Sequence, residues 1–350
     1  MKDSLFGELL IAWFQENGRQ LPWRETTDPY KIWISEIILQ QTRVVQGLDY
    51  YRRFVARFPD VYALAEASED EVLRYWEGLG YYTRARNMLK AAKRIVQMLD
   101  FPRDYATLLT LNGIGEYTAS AIASFSSNEA VAVVDGNVYR VLSRFCCDRT
   151  PIDTGEGKKR FRSLAGHFLL KDQSAVYNQA IMDFGAMVCT PRAPQCSACP
   201  VASYCLALKE DMVNELPVKA RKTQQTLRYM TFVEVYNPQN GWLLHKRTSK
   251  DIWRGLHEPV LLESDHQMSC SEVKRSEALR PFISDGQDSQ LTLVAERVKH
   301  VLTHRVIWAD YYILKTTADV CPSGYFFTKE VDSYAVPVLL KQLRVLLKES

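Results

Sequence analysis

With 350 residues, 47% hydrophobic and 24% charged, the chain has the composition of a globular protein and falls outside the disordered and fibrous classes. Its length suits one large domain or two of common size. The net charge of +3 is too small to mark a nucleic-acid or membrane partner, so any such surface must lie in the local distribution of charge.

The amino-terminal stretch MKDSLFGELLIAWFQENGRQ is amphipathic and has an acid at position 3. It lacks the basic start, apolar block and small-residue cleavage site of a secretion signal. No apolar run nears the roughly 20 residues that span a bilayer. The expectation is a protein that stays where it is made, cytoplasmic in a bacterium, with no membrane partner.

LPWR (21–24) precedes DPYKIWISEIILQQTRVV (28–45). Asp28 suits a helix N-cap and Pro29 the first helical turn. Ile34, Ile37, Ile38, Val44, Val45 and Leu48 form a core stripe at helical spacing, interrupted by Gln41. Glu36 lies off that stripe, in line with Gln40 and Arg43, and by itself reads as a solvated glutamate. EGLGYYTRARN (77–87) opens a segment in which Arg84, Arg86, Lys90, Lys93 and Arg94 fall on one short helix. A solvated helix face accounts for these charges without a partner, and the same holds for Lys219, Arg221, Lys222 and Arg228 in a charged linker.

LLTLNGIGEYTASAIAS (108–124) has the pattern of two helices joined by a tight turn, with Gly113 and Gly115 flanking Ile114. Glycine lets a backbone turn sharply and approach a phosphate closely, and the next helix then aims free N–H groups and its positive dipole end at that phosphate. A plain helix–helix turn fits the same residues. In AVAVVDGNVYRVLSR (130–144) an apolar run ends at Asp135-Gly136-Asn137 before an amphipathic helix, and Asp135 or Asn137 reads first as a cap.

CTPRAPQCSACPVASYC (189–205) holds four cysteines as C-x6-C-x2-C-x5-C, directly after NQAIMDFGAMVC. Without a secretion signal, disulfides are disfavoured. Zinc usually takes two close pairs, and only one is present. A 4Fe–4S cube tolerates uneven spacing, and Pro200 after Cys199 also fits an iron–sulfur run. Spacing favours iron–sulfur and leaves zinc open. Cys146, Cys147, Cys270 and Cys321 lie outside this run and read as core or incidental thiols.

After Pro217 the composition changes. VKARKTQQTLR (218–228) reads as a linker; YMTFVEVY (229–236) and WLLHKR (242–247), joined by NPQNG, read as a β-hairpin. Residues 293–317 hold two more strands around Leu302-Thr303-His304, which alone would be a turn. Residues 332–348 contain an amphipathic helix.

Taken in this order, the motifs resemble the iron–sulfur helix-hairpin-helix DNA glycosylases of the endonuclease III superfamily. SEIILQQT (35–42) is similar to the SE(V/I)MLQQT stretch of its MutY-type adenine DNA glycosylases; LPWR and EGLGYYTRARN match the same family. The resemblance covers nearly the whole chain, least in 260–292. It implies a multidomain protein: an all-α helix-hairpin-helix glycosylase domain over 1–217 with a 4Fe–4S loop at 189–205, a linker at 218–228, and an α+β, Nudix (MutT)-like domain over 229–350 that recognises 8-oxoguanine. DIWRGLHEP (251–259) is the clearest match in the last of these. No glutamate-rich Nudix box is present, so binding without nucleotide hydrolysis is expected.

For the site, the resemblance implies Glu36 as catalytic acid, Asp135 as catalytic aspartate, and Tyr117 and Asn137 on the sugar side. Trp23, Arg24 and Gln179 line the adenine side, while Gln41 and Tyr81 wedge into the base stack beside the hairpin glycines Gly113 and Gly115. Cys189, Cys196, Cys199 and Cys205 hold a structural 4Fe–4S cluster. Thr303 and His304 read 8-oxoguanine, with Leu302 where the family usually has an aromatic. The implied partner is double-stranded DNA carrying A:8-oxoG or A:G mispairs, bound by a monomer.

The chemistry fits these residue types. Adenine leaves poorly until a ring nitrogen is protonated, and the sugar becomes oxocarbenium-like, so an acid near the base and a carboxylate near the sugar are needed, as in two-carboxylate glycoside hydrolysis. Burial would keep Glu36 neutral, while Asp135 is expected to stay ionised and, by resemblance, to attack the sugar carbon transiently. Lyase members carry a lysine at position 117 that forms an imine; Tyr117 cannot, so base removal without strand cleavage is expected. Two alternatives stand beside this: an endonuclease III-like glycosylase/lyase for damaged pyrimidines, and a non-catalytic iron–sulfur DNA-binding protein in which Glu36 and Asp135 are helix-face and cap residues.

Overall fold

Asp28 and Pro29 start the helix that organises the first part of the molecule: the Asp28 side chain accepts a hydrogen bond from Tyr30 N (2.9 Å), and Pro29 has no N–H to strand in the first turn. This computed structural model describes residues 3–220, 225–283 and 290–349. By backbone proximity the chain divides into two units, Met1–Glu66 with Asn87–Lys222, and Ala67–Arg86 with Thr223–Ser350.

In chain order the helices are α1 (Asp3–Asn17), α2 (Pro29–Leu39), α3 (Val44–Arg57), α4 (Val61–Glu66), α5 (Glu69–Trp76), α6 (Thr83–Ile95), α7 (Tyr105–Leu108), α8 (Glu116–Ser127), α9 (Gly136–Phe145), α10 (Gly155–Phe168), α11 (Ser174–Met187) and α12 (Leu206–Lys209). Among the described residues the first unit is built of helices and the loops between them. Helix α11 packs on α1, α8 and α9. Phe6 and Leu10 of α1, Leu142 and Phe145 of α9, Phe161 of α10 and Phe184 of α11 build one core, to which Val201 of the cysteine loop belongs. Helix α2 lies between α3 and α8 and buries nine of its eleven residues, so it has no solvated face.

Two expectations change here. The apolar stripe does not run from Ile34 to Leu48 on one helix: α2 stops at Leu39, α3 starts at Val44, and Val45 is 88% exposed rather than core. Gln41 sits in the break with a left-handed backbone (φ 60°) and is exposed. Glu36 is buried, not solvated.

The second unit combines α5 and the start of α6 with a sheet. Its strands are β1 (Thr226–Asn237), β2 (Gly241–Lys246), β3 (His257–Glu258), β4 (Val260–Ser264), β5 (Gln290–Val301), β6 (Arg305–Lys315) and β7 (Tyr325–Thr328), with α13 (Cys270–Arg275) and α14 (Val338–Glu349). Among the described residues the sheet runs β3-β2-β1-β6-β5, with β4 also pairing β1 and β7 pairing β2. The β1–β2 hairpin forms where expected, with Tyr236 opposite Trp242. The long pairing of β1 with β6 is parallel, from Thr226–Arg305 to Tyr236–Lys315. Alternation along β1 puts Val233 and Val235 on one face, against Val273, Leu279 and Phe282. On the other face Glu234 accepts hydrogen bonds from Tyr311 Oη (2.9 Å) and Arg344 Nε (2.6 Å).

The unit boundary differs from a single break near residue 218. Residues 67–86 belong with the sheet because their polar groups are satisfied there: Lys246 pairs with Asp70, Arg86 donates to the Arg254 carbonyl, and Val336 N donates to Glu77 Oε1 (3.0 Å). Of the expected linker, Val218 and Ala220 are tied to the first unit through Ile152 N (3.0 Å) and Asp153 Oδ1 (2.8 Å). Arg221 and Lys222 lie outside the described residues, and β1 has begun by Thr226. Among the described residues no helix is long and apolar enough to cross a membrane.

Candidate active site and cysteine loop

One cavity of about 520 Å³ in the helical unit gathers Trp23, Arg24, Glu36, Tyr117, Asp135, Asn137 and Gln179. A 3-10 turn, Pro22–Arg24, supplies the first two; α2 supplies Glu36; the first turn of α8 supplies Tyr117; the start of α9 supplies Asp135 and Asn137; α11 supplies Gln179. All seven residues expected at the catalytic and adenine sides therefore converge, although they come from five separate elements.

Tyr117 Oη donates to Glu36 Oε2 at 2.6 Å. Burial is the main force on Glu36 and pushes its carboxyl up to about 7; the Tyr117 hydrogen bond pulls down, the Asp135 charge pushes up and the Arg24 charge pulls down. Tyr117 is itself held far above its ordinary range, by burial first and then by the two carboxylates, so it remains a donor.

Asp135 is both a helix cap and a pocket residue. Its Oδ1 accepts from Val138 N (2.8 Å) and its Oδ2 from Asn137 Nδ2 (2.8 Å). Burial raises its carboxyl too, against those donors and the Arg140 charge. Two hydrogen-bond donors reach Asp135 and one phenol reaches Glu36, and each carboxyl has an arginine charge near it, Arg140 for Asp135 and Arg24 for Glu36.

Three functional neighbours were not read from the sequence. Arg140 donates to Asn137 Oδ1 (2.9 Å), the Gly185 carbonyl (2.6 Å) and the Cys189 carbonyl (2.7 Å), joining the pocket to the cysteine loop. Arg144, one turn on, donates to Cys189 Sγ (3.5 Å) and to the carbonyls of Thr190 (2.7 Å) and Leu216 (3.1 Å). Asp183 is fully buried and pairs with Arg24 and Arg19. Their only signal was charge in the buried stripe of an amphipathic helix. Gly185 carries a packing signal as well: a Cβ there would lie 2.7 Å from the Asn137 Cβ.

Cys189, Cys196, Cys199 and Cys205 line one apolar recess with Val141, Phe145, Phe184 and Val201. Among the described residues no three His, Cys, Asp or Glu side chains converge closely enough for a single metal ion; the four cysteines are instead spread along the lining of the recess. Soft thiolate donors and the Arg144 cation on Cys189 Sγ fit an anionic iron–sulfur cube. Burial raises the free thiols of Cys199, to about 11, and Cys205, so metal must displace protons there.

The hairpin glycines do different work. Gly113 has φ 76°, and a Cβ there would lie 2.7 Å from the Asn87 Cβ. Gly115 caps α8 with open space at its Cβ position, leaving the helix N-terminus approachable. In the sheet unit, Tyr81 is 46% exposed at φ 46° and hydrogen-bonds the exposed Thr303 hydroxyl. The Arg84 guanidinium lies over the Tyr81 ring at 5.6 Å. Leu302–His304 is the turn between β5 and β6, closed by Leu302 N to the Arg305 carbonyl (2.8 Å) and tied to β1 by Thr226 N to the His304 carbonyl (3.0 Å). The Tyr81–Thr303 meeting was not foreseen.

A helical unit of this architecture, with a pocket of paired carboxylates behind a glycine hairpin, defines a class: the helix-hairpin-helix DNA N-glycosylases of base excision repair. Residues 34–165 match the family described as HhH-GPD superfamily base excision DNA repair protein, and residues 189–205 match the iron–sulfur binding domain of endonuclease III, so the cofactor is a 4Fe–4S cluster. A thermostable thymine-DNA glycosylase has a similar structure (TM-score 0.55, 25% identity), covering 60% of this chain and 97% of that one. The adenine DNA glycosylase of Buchnera aphidicola subsp. Schizaphis graminum is 36% identical over 255 residues, 72% of this chain and 73% of that protein. The one from Arabidopsis thaliana is 37% identical, covering 88% of this chain and 57% of that protein. The chain belongs to the adenine DNA glycosylase family; it removes adenine from DNA in base excision repair.

Proposed function

We propose that the chain excises adenine mispaired with 8-oxoguanine, and with guanine, as a monofunctional and monomeric glycosylase. The observation that carries the mechanism is the buried Glu36 carboxyl, pushed up to about 7, in one cavity with Asp135. Glu36 gives its proton to a ring nitrogen of the flipped-out adenine, which leaves as a neutral base. Asp135, held by Val138 N and Asn137, presents its carboxylate to the sugar as positive charge develops. At ~4 Å and an effective dielectric of ~20 that pairing is worth about 4 kcal/mol, roughly a thousandfold in rate. Trp23, Arg24 and Gln179 orient the base, and Tyr117 holds Glu36. A phenol at position 117 offers no amine for an imine, which supports base removal without strand cleavage.

Gln41 and Tyr81 act as wedges; both are exposed at left-handed turns, which supports side chains aimed outward. Cys189, Cys196, Cys199 and Cys205 ligate the cluster, whose contribution is to hold the loop. The α+β unit is a Nudix-like reader in which Thr303 and His304 meet 8-oxoguanine; their exposure and the Tyr81 hydrogen bond support it.

Single-turnover excision on duplexes bearing A:8-oxoG, A:G and thymine glycol tests this, with borohydride trapping in parallel. Adenine release from the first two, without trapping, is expected. Action on thymine glycol with a trapped complex would contradict it. Because 67–86 belong with the sheet unit, the point variant Thr303→Ala tests the reader more cleanly than deletion of 226–350.

A further inference from the structure

Asp183 is a carboxylate with no exposed surface on α11, and it stands outside every role assigned above. Arg24 grips it with both ends of its guanidinium, Nη1 on Oδ2 and Nη2 on Oδ1, each at 2.7 Å. Arg19 adds Nε on Oδ1 (2.9 Å) and its backbone N–H on Oδ2 (3.0 Å), and Arg24 Nη1 also reaches the Arg19 carbonyl (3.0 Å). The fork-to-fork geometry fixes the plane of the Arg24 guanidinium, which lines the same cavity as Glu36.

Three charged or titratable groups bear on Glu36: Tyr117 from α8, Asp135 from the cap of α9, and Arg24 from the 3-10 turn. Arg24 is the cation among them. Arg19, Arg43 and Arg140 also line the cavity, and Arg140 is held by Asn137, Gly185 and Cys189. A bare guanidinium beside a buried carboxyl favours the carboxylate, the wrong state for a proton donor.

We propose that Asp183 is a positioning residue that holds Arg24 in place and offsets its charge, so that Glu36 keeps the proton it delivers to adenine. This rests on the assignment of Glu36 as the acid. Asp183 is itself held down to about 2 against burial by Arg24 and Arg19, so it offers this counter-charge throughout the neutral range.

Two variants of the cluster-loaded full-length protein test it with opposite signs. Asp183→Asn keeps the shape and leaves Arg24 uncompensated. Arg19→Gln, at a side chain 32% exposed, removes one of the two cations sharing Asp183. The first readout is the titration midpoint of the Glu36 carboxyl, followed by its 13C resonance. It should move down by about one pH unit in Asp183→Asn and up in Arg19→Gln. The second readout is the pH profile of single-turnover excision: its alkaline limb should follow, so that Asp183→Asn loses about tenfold more at pH 8 than it does at its low-pH plateau. A merely structural role would lower the plateau in both variants and leave both midpoints alone, and that result overturns the proposal. Midpoints that move while the rate profile stays put overturn the assignment of Glu36 as the acid.

Discussion

Glu36 and Asp183 are both buried carboxylates beside one cavity, on helices of the same unit, yet they are driven to opposite ends of the carboxylate range. Glu36 is pushed up to about 7 and Asp183 held down to about 2. Burial acts upward on both. The difference lies in the donors: one neutral phenol on Glu36, against two guanidiniums and a backbone N–H on Asp183. Location in a core does not set ionisation; the number and charge of donors does. One carboxyl is left protonated up to about 7, and the other stays an anion paired with Arg24 and Arg19.

The largest effect that could break this comparison is on catalysis. Glu36→Gln should lose at least roughly a thousandfold in single-turnover adenine release, within the range of general-acid effects, while mispair binding changes little. Asp135→Asn should lose a similar factor. Near-normal rates in Glu36→Gln would strip the protonated carboxyl of its purpose.

Stability against pH comes next. Because Glu36 titrates higher folded than unfolded, the native state holds its proton between about 4.3 and 7, and stability falls as pH rises through that window, by about 4 kcal/mol in all. Glu36→Gln should therefore gain on the wild type in urea unfolding at pH 8 and not at pH 4. Asp183 has the opposite sign: its stabilisation is complete above about 3.9 and lost as pH falls toward 2. Equal pH dependence in wild type and Glu36→Gln would contradict the burial argument.

A smaller effect sharpens the role of the Tyr117 hydrogen bond. Tyr117→Phe removes a hydrogen bond that favours the carboxylate, so the alkaline limb of excision should move up, by about one pH unit. A limb that moves down would mean that Tyr117 supports the acid form instead. The smallest effect lies in the sheet unit, where the Thr303 hydroxyl is exposed and its hydrogen bond is worth about 1 kcal/mol net. Thr303→Ala should weaken binding to A:8-oxoG duplexes tenfold or less and leave A:G binding alone. Equal losses on both mispairs would remove Thr303 as a reader.

Much of the site was legible because its residues sit in local motifs: the cap at Asp135, the glycine turn before α8, the cysteine spacing and the Glu36 helix each announce themselves within a few positions. The burial of Glu36 was not visible in its helical stripe, because α3 and α8 cover the faces of α2 that periodicity alone would leave to water. Asp183 with Arg24 is a pairing across 159 positions, and the links from Arg140 and Arg144 to Cys189 span 49 and 45; such partners are tertiary facts. In the second unit the hairpin and the β5–β6 pair were readable as adjacent strands. The parallel β1–β6 pairing and the inclusion of 67–86 were not, since both depend on segments far apart in the chain.

The most direct test is a 13C titration of the side-chain carboxyls of the wild-type protein, with Glu36 and Asp183 assigned by difference against Glu36→Gln and Asp183→Asn. The account predicts a Glu36 midpoint near 7 and an Asp183 carboxyl that stays ionised down to about 2. A Glu36 midpoint at or below the ordinary value of about 4.3 would contradict it, since the pocket would then hold two carboxylates and no acid.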